Sequence, residues 1–261
     1  MSSPPANPKT PAWPPKSAPR LFVEQELSLG THVHIEGTQA HYLGKVMRVS
    51  EQGTVILCDN LTGEWACLVT EISKRSITLT AHERLRERED VPDFWLCPAL
   101  LKKDRFDMVL EKASELGARA IRPVVTRRCV ADKLNLVRAK TITIEAAEQC
   151  ARTALPELHE PQKLDAFMRD WPKDRVLYFA DEVRNAAPAA SAFASHMGPA
   201  ALLIGPEGGF DDAERTAIRA HPQAQPISLG PRILRGETAA IAAMAIWMAQ
   251  AGDWNEREFA K

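Results

Sequence analysis

The chain has 261 residues, enough for one large domain or two modest ones, and 45% hydrophobic residues can bury a substantial core. With 26% charged residues and no long apolar run, the composition argues against a disordered polymer and against membrane insertion. The net charge of −1 hides an asymmetry: residues 102–140 carry 11 Lys or Arg against 5 Asp or Glu, while residues 141–261 carry 12 against 17. The basic middle is a candidate nucleic-acid surface, and the plain alternative is a solvated helix face.

In chain order, residues 1–19 hold prolines and small polar residues without the apolar core of a secretory signal, and they read as a disordered extension. Residues 20–82 contain alternating runs at 31–35, 53–58 and 65–69. The turn signals Glu36-Gly37, Gln52-Gly53, Asp59-Asn60 and Thr62-Gly63 separate them, the spacing of a small β-barrel. A helical element over residues 39–48 would carry Lys45 and Arg48, and Arg20 precedes the first strand. Small barrels bind RNA through loops and one face, so these three are candidate phosphate contacts. The charged residues 83–93 read as a linker.

From 94 to 252, apolar runs at 94–100, 120–125, 175–180, 200–204 and 225–229 alternate with helical patterns at 105–116, 137–152, 211–220 and 237–251. That rhythm predicts an α/β domain with a parallel sheet, followed by a tail at 253–261. The five cysteines are odd in number and unpaired in spacing, which fits reduced thiols in a cytoplasm.

Two apolar runs end in glycine-proline loops: Ile204-Gly205-Pro206-Glu207-Gly208-Gly209-Phe210, and Leu229-Gly230-Pro231-Arg232-Ile233-Leu234-Arg235-Gly236-Glu237-Thr238. Ligands of α/β sheets gather at the carboxyl ends of strands, so these loops are the expected site. Neither GxGxxG after the first strand of this domain nor GxxxxGK[ST] occurs, the histidines and cysteines form no metal set, and no G-x-S-x-G elbow is present.

With these two loops, Glu145-Ala146-Ala147-Glu148-Gln149, and more weakly Glu111-Lys112-Ala113-Ser114-Glu115-Leu116-Gly117, the sequence resembles the RsmE-type ribosomal RNA uridine-N3 methyltransferases of the SPOUT superfamily. The resemblance runs from Arg20 to about residue 251. It implies a PUA-like β-barrel followed by an α/β domain with a C-terminal trefoil knot, a homodimer, S-adenosylmethionine as cofactor, and uridine 1498 of 16S ribosomal RNA in the small subunit as substrate. Gly236, Cys129 and Cys150 depart from the residues the family commonly shows.

Cofactor contacts are expected at Ile204, Gly205, Glu207, Leu229, Gly230, Pro231, Ile233, Leu234, Glu237 and Thr238. Arg235 is expected to stabilise a developing uridine anion, the alternative being a salt bridge. Glu207 is a base or, preferably, a binding group, and Glu237 either binds or caps its helix. Lys102, Lys103, Arg127 and Arg128 are further RNA candidates, and Gln149 and Arg152, three apart on one helical face, are expected to project toward the RNA or a dimer partner, the alternative being interhelical packing. A SPOUT enzyme for another nucleotide of rRNA or tRNA and a non-catalytic ribosome-assembly protein are the competing readings.

Overall fold

The computed structural model describes residues 18–181 and 186–255, so most of the expected extension and the last part of the tail lie outside the described residues. The chain forms two compact units, Met1–Glu89 and Asp90–Lys261.

The first unit is a five-stranded sheet in the order β1-β3-β4-β5-β2, built from β1 (Arg20–Phe22), β2 (His32–Glu36), β3 (Thr54–Cys58), β4 (Glu64–Ile72) and β5 (Ser76–Arg86). A short helix α1 (Gly37–His41) runs directly into a π-helical turn, Tyr42–Val46, where one helical element was expected. Three register shifts between β4 and β5 let this long pair curl over a core that includes Leu21, Leu43, Leu57, Val69 and Leu79. β5 continues through the charged residues 81–86, so the irregular connection is only residues 87–93. The strand persists there because Glu64, 4% exposed, pairs with both Arg20 and Arg86, which satisfies a buried carboxylate across the sheet. Burial pushes the thiols of Cys58, Cys67 and Cys97 up to about 12, leaving them protonated and inert.

The second unit is built on a seven-stranded, all-parallel sheet in the order β12-β14-β11-β13-β6-β7-β9. Its strands are β6 (Phe94–Pro98), β7 (Ala120–Ile121), β9 (Glu157–Leu158), β11 (Val176–Ala180), β12 (Ala187–Pro188), β13 (Ala200–Ile204) and β14 (Ala224–Ser228). A separate pair, β8 (Val124–Val125) with β10 (Gln162–Lys163), lies beside it. All five residues of β13 are buried, as expected of a strand covered on both faces.

Helices α2 (Lys103–Glu115), α5 (Ala189–Ala194) and α7 (Gly236–Gln250) pack on one face, where Phe94 stacks on Trp247 at 4.3 Å. Helices α4 (Leu164–Arg169) and α6 (Asp212–Ala220) supply residues to the core of the other face. The remaining helix, α3 (Leu136–Cys150), packs on α2. β13 returns between β6 and β11, and β14 then adds outside β11, so the strand order reverses next to the two glycine-proline loops.

The expected placement of Gln149 and Arg152 on one helical face is corrected. Helix α3 ends at Cys150, Ala151 turns the chain with φ +61°, and Arg152 points inward at 4% exposure. Its guanidinium donates to Ser114 O at 2.8 Å and Ala118 O at 2.7 Å, so it ties the end of α2 to the loop after it rather than meeting RNA. Removing it takes a charged donor from both carbonyls, and among the described residues Ser114 O keeps only the Gly117 N–H at 3.3 Å. Arg152→Ala is expected to lower the unfolding free energy by about 2 kcal/mol in a urea titration. A change within about 0.5 kcal/mol, the range of surface substitutions, would show that the guanidinium is not an internal tie.

Candidate functional site

A cleft of about 860 Å³ opens at the carboxyl ends of β11, β13 and β14. Its floor and walls combine Ile204, Ile227, Leu229, Leu234 and Phe210 with the main chain of the two loops. Gly230 sits at φ +103°, a left-handed conformation open to glycine, and lets the second loop turn sharply away from β14. A Cβ added to Gly205 would come within 3.1 Å of the Phe210 ring, and one added to Gly236 would lie 3.1 Å from Leu101 Cδ2 and 3.3 Å from Gly205 O. The two loops therefore meet through backbone, and the absence of a side chain at Gly236 lets them approach.

Of the expected cofactor contacts, Ile204, Gly205, Glu207, Leu229, Gly230, Pro231, Ile233 and Leu234 line this cleft, as does Arg235. Glu237 and Thr238 do not: Thr238 faces outward and Glu237 is buried beneath the loops. Ile233 stands 89% exposed at the mouth. Arg235 is exposed at the N-terminus of α7 and makes no ion pair among the described residues, so the salt-bridge alternative with Glu207 or Glu237 is not realised.

The partner of both glutamates is Arg105, a cleft residue that composition did not single out. Its Nη1 donates to Glu207 Oε1 at 3.2 Å and its Nε lies 3.8 Å from Glu237 Oε1. The Lys102 N–H also donates to Glu207 Oε1, at 3.4 Å. Glu237 Oε2 is buried without a hydrogen bond. Asp181, directly after β11, was also missed, although its place at a strand's carboxyl end is the signal that could have found it. It lines the cleft and accepts from Arg219 Nε at 2.8 Å and Nη2 at 2.5 Å.

Of the RNA candidates in this unit, Lys102, Lys103 and Gln149 are exposed, and Arg127 and Arg128 brace the first loop. Arg128 donates to Gly208 O at 2.9 Å, while Arg127 pairs with Asp211 at 3.0 Å and donates its main-chain N–H to Glu214 at 2.7 Å. Asp211 and Glu214 form a reciprocal capping box that starts α6. In the first unit, Lys45 and Arg48 are exposed, whereas the Arg20 side chain is 19% exposed and committed to Glu64.

A site of this volume, apolar with a few convergent polar groups, fits a nucleoside-sized ligand. The RNA methyltransferase domain matches residues 87–248 and the RNA methyltransferase PUA domain matches residues 35–81. The chain belongs to the RNA methyltransferase family. Among its relatives is the ribosomal RNA small subunit methyltransferase E of Bacillus subtilis, 31% identical over 87% of this chain and 94% of the relative. The structure of the Neisseria gonorrhoeae protein of the same name, bound to S-adenosylmethionine, superposes with a TM-score of 0.83 at 27% identity, covering 91% of this chain and 99% of that one. A methyltransferase structure from Legionella pneumophila with bound SAM gives 0.82 at 29% identity over 90% and 99%.

The Asp211 carboxyl is held below its usual value, first by the hydrogen bond from the Glu214 N–H and then by Arg127. Because the folded value is the lower one, this group contributes stability above the unfolded value of 3.8, and the contribution is lost as pH falls through the folded value. Asp211→Asn, which keeps a cap acceptor and removes the charge, is expected to flatten the acid limb of the pH–stability profile below about pH 4. An unchanged acid limb would contradict this.

Proposed function

We propose that this chain is an S-adenosylmethionine-dependent methyltransferase that modifies N3 of uridine 1498 in 16S ribosomal RNA of the small subunit. The observation that carries the reading is the cleft walled by the two glycine-proline loops, with Arg235, which has no ion pair among the described residues, at its edge. When bound, S-adenosylmethionine supplies an electrophilic methyl group on its sulfonium.

The chain's own residues have two tasks. The first is to hold the cofactor: Ile204, Leu229 and Leu234 offer apolar cover, and the loop main chain offers hydrogen-bonding edges beside Gly205 and Gly230. Glu207, anchored through Oε1 by Arg105 and the Lys102 N–H, keeps Oε2 for a hydroxyl or amine. The second task is to ease the loss of the proton on uridine N3, because nitrogen attacks well only once that proton is gone. A guanidinium is a fixed donor fork and a poor proton acceptor, so Arg235 acts by stabilising negative charge on the uracil oxygens that flank N3.

The same reading includes a trefoil knot in which the chain from β14 to α7 passes beneath the loop after β13. The approach of Gly236 to Gly205 O supports it. It also includes a homodimer in a cytoplasm. Helix α7 is apolar around most of its circumference, and Ile241, Ala242, Ala245 and Ala249 form a half-covered stripe on its outer side, as expected of a helix that a second copy covers.

The test is transfer of labelled methyl from S-adenosylmethionine to small ribosomal subunits lacking this modification, with mass spectrometry of the digested nucleosides. The expected product is 3-methyluridine at that position, with Arg235→Ala lowering kcat by at least about a hundredfold while cofactor affinity is kept. A different methylated nucleoside would move the substrate, and failure to bind the cofactor would favour a non-catalytic assembly protein.

A further inference from the structure

A second, smaller cleft of about 320 Å³ lies away from the two loops and is lined in part by Arg122, His159, Glu160, Gln162 and Phe167. Arg122 directly follows β7 and His159 directly follows β9. The strands are parallel, so both residues stand at the same edge of the sheet as the large cleft. β7 and β9 are two and three strands from β13, roughly 10–15 Å at ordinary strand spacing. One nucleic-acid strand can touch both clefts across that distance.

The chemistry of the smaller cleft rests on Arg122, which lies over the Trp95 ring together with Arg175. Arg175 lies 3.7 Å from the ring centroid, and its two Nη atoms donate to Asp93 Oδ2 at 2.7 Å and to Asp93 O and Ala200 O at 3.0 Å. The Arg122 guanidinium lies 4.5 Å from the same ring and makes no side-chain hydrogen bond or ion pair among the described residues. It is thus a half-buried cation, fixed in orientation by stacking, with its donor fork unspent. Burial and the Arg122 charge hold the His159 imidazole below its usual value, so at neutral pH it adds a neutral hydrogen-bonding group rather than a second cation. Glu157, 3.7 Å from His159, and Glu160 are the nearby carboxylates, and Glu160 is the one that lines the cleft.

We propose that this cleft is a phosphate-binding subsite in which Arg122 grips a backbone phosphodiester of the RNA whose target base enters the large cleft. The subsite rests on the RNA-methyltransferase reading and adds a contact to it that the loops do not supply. A planar guanidinium pre-oriented on an aromatic ring suits two phosphate oxygens at once, and the cleft has room for a phosphate.

The test is fluorescence-anisotropy binding of a uridine-containing single-stranded RNA oligonucleotide to the full-length protein over a series of salt concentrations, with S-adenosylmethionine affinity and melting temperature measured in parallel. R122Q is expected to weaken RNA binding several-fold and to reduce the slope of log affinity against log salt by about one, with cofactor affinity unchanged. R122K is expected to keep the slope, and E160Q to tighten binding. Wild-type affinity and slope in R122Q would overturn the proposal. So would weaker binding at an unchanged slope that tracks a lowered melting temperature, because that would make Arg122 a packing partner of Trp95. Absence of RNA binding by the unaltered protein would overturn the subsite, whereas failure to bind S-adenosylmethionine would remove the methyltransferase reading itself.

Discussion

The first turn of α7 lies against the main chain of the loop that follows β13, and this close approach sets the shape of everything around the cleft. Gly236 and Gly205 meet with space for no side chain between them: a Cβ on the first would press on Gly205 O and Leu101, and one on the second would press on the Phe210 ring. Interiors are packed too tightly to absorb an added group there without moving backbone. Because α7 is also the helix whose Trp247 stacks on Phe94 at the centre of the sheet, the position of the loop is tied to the main core. The site is preorganised by packing, which is where binding energy is least wasted on ordering.

Charge completes what packing begins. Arg105 reaches from α2 to both Glu207 and Glu237, one residue of each loop region, and so joins three chain segments at one guanidinium. Arg128 and Arg127 hold the far side of the first loop through Gly208 O and the Asp211–Glu214 cap. Three arginines of the basic middle therefore brace the site, and Arg235 is left without an ion pair among the described residues.

What could be read in advance follows from how local each signal is. β13 was expected at residues 200–204 and lies there, because a run of buried aliphatics ending in Gly-Pro has only one reading in an α/β rhythm. The same logic found both loops and most of the cleft wall. The short helices α4 and α5 and the two-residue strands carry too few residues for periodicity to register. The charged end of β5 reads as linker because its support is the distant Glu64, and Arg152 reads as sharing a helical face with Gln149 because nothing local reports the turn at Ala151. Arg105 has no local signal either, because its role is defined by partners about 100 residues or more away.

The central claim is that the backbone-to-backbone approach of the two loops builds the cofactor cleft, and Gly236→Val tests it directly. Isothermal titration with S-adenosylmethionine on the folded variant should show affinity reduced at least about tenfold, the consequence of overpacking worth 1.4 kcal/mol or more, with the circular-dichroism spectrum retained. Affinity equal to that of the unaltered protein would contradict the account, because it would mean that the cofactor does not depend on the contact between Gly236 and Gly205.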